Sequence, residues 1–161
     1  MRVRIDAARH HITTAGIDHL GAGRRLEVFA DRNDRALAGL SMGASITTNV
    51  ALKRLDVFSY IGILSSGGFR TTAANPNGPV GTAVFETIAP DFFTNPAVTN
   101  KKIHLLFFSV GTEDPRLPSL NDLMEQLRSR NINFVYKTYP GEHEWKVWRH
   151  SLADMAPLLF R

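Results

Sequence analysis

Three side chains in this sequence have the types needed for acyl chemistry through a nucleophile: Ser41, Asp114 and His143. Ser41 sits in Gly39-Leu40-Ser41-Met42-Gly43, a G-x-S-x-G pentapeptide. Between a strand and a helix, that pattern puts the serine on a sharp turn with its hydroxyl exposed. Chance alone produces it in roughly one in twenty chains of this length, so the flanking elements and partner residues carry the argument. A serine hydroxyl is too weakly acidic to attack a carbonyl unaided and needs a base within hydrogen-bond reach. His143 is the candidate base, because imidazole titrates near neutral pH. Asp114 is the candidate acid that would fix the imidazole tautomer and stabilise the imidazolium. Glu113 is the competing acid, and Asp114-Pro115 is also a good turn opener. The backbone N–H of Met42 would be one oxyanion donor.

The elements that must position these residues can be read from the pattern. Arg35–Gly39 reads as a short strand and Met42–Arg54 as a helix with Ile46, Val50 and Leu55 among its apolar positions. Gly39 and Gly43, lacking Cβ, are expected to let strand and helix approach closely. Phe58–Leu64 reads as the next strand, residues 65–79 as a loop, and residues 80–88 as a weak helix. Asn95-Pro96 and Asn100–Lys102 read as loop. Ile103–Val110 is a continuous apolar run, as expected of a strand buried on both faces. Pro118–Arg130 carries Leu120, Leu123, Met124 and Leu127 on one helical face, opposite Asp122, Glu125 and Arg128. Asn133–Tyr139 reads as the last strand and residues 145–160 as the last helix. In that helix Trp145, Trp148, Leu152, Met155 and Leu159 recur at core spacing. Strands alternating with helices imply a parallel sheet. Ligands bind outside the carboxyl ends of such strands. Ser41, the Gly111-Thr112-Glu113-Asp114 loop and the Pro140-Gly141-Glu142-His143 loop all fall at that edge.

Composition bounds the alternatives. The chain has 161 residues, 43% of them hydrophobic, which suits one globular domain. It has no cysteine, which excludes disulfides and thiolate metal sites. Its formal charge is +4, from 19 Lys and Arg against 15 Asp and Glu. The positives are scattered in pairs with no basic face, so no nucleic-acid partner is expected. No apolar run reaches spanning length, and none follows Met1, so no membrane partner and no export signal are expected; the default location is the cytoplasm. His10 and His11 are set well apart from His19 without carboxylate pairing, and no H-E-x-x-H is present, so neither a metal nor another cofactor is expected.

The motifs together are similar to a known family. Arg35–Gly43, Phe58-Ser59-Tyr60-Ile61-Gly62, Gly111-Thr112-Glu113-Asp114, and Gly141-Glu142-His143-Glu144-Trp145 with Trp148-Arg149 resemble the esterase D-like branch of the α/β-hydrolases. The closest resemblance is to the carbohydrate esterase family 1 and enterochelin esterase-like group, which includes feruloyl and acetylxylan esterases. The order Ser…Asp…His is also the α/β-hydrolase order. The resemblance implies a triad of Ser41, Asp114 and His143, an oxyanion donor at Met42, and hydrolysis of small or aryl carboxylic esters through an acyl-enzyme.

Two departures shape the expectations. Ala44 stands where a second glycine commonly follows the motif. The chain also resembles only the second half of the family's domain, whose earlier strands precede the elbow and whose early loop gives the other oxyanion donor. Losing one such donor costs about 3 kcal/mol, or 10²–10³ in rate. The expected fold is therefore a truncated α/β-hydrolase, a mostly parallel sheet of about four clear strands with flanking helices. Residues 1–34 are read as an arm of uncertain structure and residues 35–161 as the hydrolase half. The elbow strand would be an open edge, covered by the arm or by a second copy in a homodimer. The alternatives are an acyltransferase and an inactive remnant that serves as an interaction module. Phe69, Phe92 and Phe93 are candidates for an apolar pocket, with core packing as the other reading; no residue is assigned to bind substrate.

Overall fold

The apolar run near residue 105 forms a central strand in this computed structural model. The structure describes residues 35–67 and 80–161, with the backbone of three short strands before them. Those strands, β1 (Val3–Asp6), β2 (His11–Thr14) and β3 (Val28–Phe29), pair antiparallel in the order β1-β2-β3. The rest of the proposed arm, and Phe69, lie outside the described residues.

A second sheet contains β4 (Ala36–Leu40), β5 (Tyr60–Leu64), β6 (Leu105–Gly111) and β7 (Val135–Tyr139) in that order. Every pairing in it is parallel. Helix α1 (Met42–Lys53) joins β4 to β5, and α4 (Leu117–Ser129) joins β6 to β7. Helices α2 (Thr82–Ile88) and α3 (Pro96–Lys102) lie between β5 and β6, and α5 (Trp145–Met155) follows β7. All residues of β5 and β6 are buried. The two-residue period of a strand divides them between two cores. Ile61, Ile63, Leu106, Phe108 and Val110 pack with α1, α2 and α4 residues such as Ala44, Phe85, Leu120, Leu123 and Leu127. Tyr60, Leu64, Leu105 and Phe107 pack on the other side with Met155 of α5. The sheet is thus a middle layer between helices, the mostly parallel α/β arrangement expected from the sequence.

Three local expectations are corrected. In α1 the residues facing inward are Ala44, Thr47, Thr48, Ala51 and Leu52. Met42, Ile46 and Val50 are 78%, 59% and 41% exposed and make a stripe at i, i+4 and i+8. The reason is the closeness of strand and helix. A Cβ on Gly39 would collide with the Gly43 carbonyl and the Thr47 hydroxyl, so mostly small side chains fit beneath the helix. Gly43 itself has open space where its Cβ would be, among the described residues. Of the two motif glycines, only Gly39 is needed for the approach.

Asn95-Pro96 and Asn100–Lys102, expected as loop, instead cap and form the two ends of α3. The Asn95 side chain accepts the Val98 N–H at 3.2 Å, and Pro96 opens the first turn. Asn followed by Pro is an N-terminal helix signal as well as a turn signal.

The last helix is shorter than expected. It ends at Met155, with a 3-10 turn at Ala156–Leu158, because Pro157 brings no N–H to continue the ladder. Its buried line is Val147, Ser151 and Met155. Trp145 is 62% exposed and Leu152 53% exposed, so the apolar spacing overstated how much of the helix is core. Phe92 and Phe93 are in the core layer, Phe92 buried with its ring centroid 5.2 Å from that of Phe85. Core packing is therefore the reading the structure gives for this pair.

Candidate active site

Ser41 occupies the turn between β4 and α1, with φ 54° and ψ −119°. A positive φ is costly for a residue with Cβ and persists only where its surroundings impose it. Here the Ser41 N–H donates to the Leu64 carbonyl of β5 at 2.9 Å, and the Ala44 N–H donates back to the Ser41 carbonyl at 3.1 Å. The strain lifts the serine side chain out of the strand at the carboxyl edge of the sheet.

Asp114 follows β6 and is 2% exposed. His143 follows β7, in the loop before α5. A Cβ on Gly111, at the end of β6, would strike the Gly141 and Glu142 carbonyls. Glycine at position 111 therefore lets the histidine loop descend onto the acid loop. The Glu113 N–H donates to the Gly141 carbonyl at 3.1 Å and fastens the two loops.

The three side chains meet. His143 Nδ1 lies 2.8 Å from Asp114 Oδ2, and His143 Nε2 lies 2.7 Å from Ser41 Oγ. An ionised carboxylate only accepts hydrogen bonds. Nδ1–H is therefore the donor to Asp114, and Nε2 is left to accept the Ser41 proton. The competing acid, Glu113, is exposed and accepts from the Thr112 hydroxyl at 2.8 Å. Met42 begins α1, so its N–H is among the first four, which have no partner within the helix.

A residue with no sequence signal completes the acid. Asp114 Oδ1 accepts the Arg116 backbone N–H at 3.0 Å and the Arg116 Nη1–H at 3.1 Å. Burial pushes the Asp114 carboxyl up. The Arg116 N–H, the His143 contact and the Arg116 guanidinium together outweigh it and hold the carboxyl below its usual range. A carboxyl held low in the folded chain adds stability that is complete above its unfolded pKa and is lost as pH falls through its folded value. Arg116→Ala removes one of the groups holding it low. Acid unfolding of that variant, followed by circular dichroism against pH, is expected to begin at a higher pH than in the parent chain.

Among the described residues, His104 and His150 stand apart from this line. His104 Nδ1 is 3.3 Å from the Tyr60 hydroxyl, and the His150 ring stacks on Tyr139. Among the described residues no group of three or more His, Cys, Asp or Glu is placed to hold a metal, and no helix is long and apolar enough to cross a membrane.

A strained serine at a strand-to-helix turn, with a histidine and a buried aspartate in line, on a parallel sheet between helices, is the arrangement of an α/β serine hydrolase. Residues 25–159 match the family described as "Putative esterase", and the chain belongs to it. It is 31% identical over 134 residues to an "Endo-1,4-beta-xylanase/feruloyl esterase" of Xylanibacter ruminicola, a match covering 82% of this chain and 15% of that protein. Solved structures with a similar fold include a ferulic acid esterase, with TM-score 0.58 and 19% identity over 82% of this chain and 53% of that one. Another is the S-formylglutathione hydrolase FrmB of Staphylococcus aureus, with TM-score 0.59 and 22% identity over 80% of this chain and 56% of that one. A third is the S. aureus fluorophosphonate-binding serine hydrolase FphF, with TM-score 0.59 and 21% identity over 80% and 55%. The chain thus spans a small part of the curated relative and little more than half of each of these structures.

Proposed function

We propose that this chain is a serine carboxylesterase that hydrolyses small or aryl carboxylic esters through an acyl-enzyme on Ser41. The observation that carries the proposal is the unbroken line from Asp114 through His143 to Ser41, with both contacts under 3 Å. Ser41 Oγ attacks the ester carbonyl while His143 Nε2 takes its proton. The Met42 N–H donates to the oxyanion of the tetrahedral intermediate. The intermediate collapses, breaking the bond to the alcohol oxygen, and His143 returns the proton to that leaving group. Water then attacks the acyl-enzyme with His143 again as base, releasing the acid and restoring Ser41. Asp114 stabilises the imidazolium in both halves, and no cofactor is required.

The feruloyl esterase activities in the names of two relatives support the aryl part of the reading. In this proposal residues 35–161 form the hydrolase half of a carbohydrate esterase family 1-like domain, with residues 1–34 as an arm. Purified chain is expected to hydrolyse p-nitrophenyl acetate and butyrate, with the activity lost in Ser41→Ala and in His143→Ala. Equal rates in parent and variants would overturn the assignment.

A homodimer through the elbow-strand edge belongs to the same reading. Among the described residues β4 pairs only with β5 and is an edge of its sheet. The exposed Met42, Ile46 and Val50 stripe runs along the adjoining helix. A two-fold axis normal to the sheet would set β4 antiparallel to its mate and α1 against α1, covering edge and stripe together. Light scattering is expected to give twice the chain mass; a monomer across all concentrations would exclude the pairing.

A further inference from the structure

Two features near the triad have no part in the reaction as written. One is Ser65, which follows β5, is fully buried and has φ 48°. The other is Trp148, in the first turn of α5, whose N–H donates to the Glu144 carbonyl at 3.3 Å. They meet: the Trp148 indole N–H donates to Ser65 Oγ at 3.1 Å. The Trp148 ring also stands against the His143 imidazole, centroids 5.1 Å apart and planes at 85°.

The contact joins the nucleophile's side of the site to the base's side. Ser65 is the residue after Leu64, whose carbonyl accepts the Ser41 N–H, and its own N–H donates to the Ser109 carbonyl at 2.7 Å. Its left-handed backbone is one that a side-chain-bearing residue adopts only when its neighbours hold it. Trp148 belongs to the helix that begins two residues after His143. The imidazole is tied at its two nitrogens, to Asp114 and Ser41, which leaves rotation about that line to be set by whatever packs on the ring. Trp148 is the aromatic side chain found in edge contact with it. A second polar link docks the same helix one turn on, where Ser109 Oγ donates to Ser151 Oγ at 2.8 Å.

We propose that Trp148, anchored by its indole N–H on the Ser65 hydroxyl, is the positioning residue that fixes the plane of the His143 imidazole against Ser41. The kinetic arm of the test rests on the esterase reading above, and a spectroscopic arm does not. Trp148→Phe keeps a ring and removes the N–H, and Ser65→Ala removes the acceptor. Ser151→Ala loosens the helix without touching the contact and serves as the control.

In the parent chain the His143 Nδ1–H shared with Asp114 should give a far-downfield proton resonance, identified by its loss in His143→Ala. That resonance is expected to shift or broaden in Trp148→Phe and in Ser65→Ala and to stay in place in Ser151→Ala. With p-nitrophenyl acetate, kcat is expected to fall roughly 10-fold in each of the first two variants with KM nearly unchanged, as a misplaced base slows the chemical step. The double variant should be no worse than the poorer single one, because both remove one contact. An unchanged resonance in Trp148→Phe and Ser65→Ala would overturn the proposal. So would effects of the same size in Ser151→Ala, which would make the contact helix docking alone. A resonance that responds to Trp148 in a chain without esterase activity would keep the positioning role and reject the esterase reading.

Discussion

Asp114→Asn is expected to lower kcat about 10⁴-fold with little change in KM. The carboxylate only accepts, so it forces the His143 proton onto Nδ1 and leaves Nε2 free to take the proton of Ser41. An amide in its place can turn its NH₂ toward Nδ1, which then becomes the acceptor. The ring proton moves to Nε2, and the base is lost although the three side chains keep their places. The buried setting of Asp114 sharpens the effect, because the carboxylate is shielded from bulk solvent. Arg116 adds a distinguishing feature. Its guanidinium, paired with Asp114 Oδ1 in the parent chain, would face an uncharged group, favouring the amide oxygen toward Arg116 and the NH₂ toward His143. Steady-state kinetics on p-nitrophenyl acetate, with circular dichroism to show an intact fold, checks the prediction.

Gly39→Ala is expected to destabilise the chain by about 1–3 kcal/mol, a fall in melting temperature of roughly 2–12 °C for a domain of this size. The added methyl would press on the Gly43 carbonyl and on Thr47, in the first turns of the helix that Ser41 introduces. Relief requires α1 to move from β4, and Ser41 moves with it. Activity should therefore fall further than stability, by as much as 10²-fold for a shift near 1 Å. Gly43→Ala is the contrast. The site of its Cβ is open among the described residues, so it should melt close to the parent. Thermal melts and kcat/KM of the two variants together test which glycine the elbow needs.

That contrast shows where the sequence was informative. The pentapeptide located the turn but treated its glycines alike, because spacing carries no direction of approach. The parallel sheet was legible because residues 103–110 are apolar without interruption, as a strand buried on both faces must be. Ser41, Asp114 and His143 could be found because each follows a strand and their order is fixed along the chain. The faces of α1 and α5 were less legible. In both helices the side against the sheet takes small residues such as Ala44, Thr47 and Ser151, while larger apolar residues such as Ile46 and Trp145 face outward. A hydrophobic pattern favours the larger residues and so points partly to the wrong face. Arg116 and Ser65 had no sequence signal, since each acts through a contact that exists only once separate loops have been brought together.

Ser41 is proposed to act as a nucleophile activated by His143. The most direct test is reaction of the folded chain with a fluorophosphonate, followed by peptide mass spectrometry to locate the adduct. A single adduct on Ser41, formed far more slowly in His143→Ala, is the predicted result. No adduct on a correctly folded chain, or one that forms at the same rate without His143, would rule out a His143-activated Ser41.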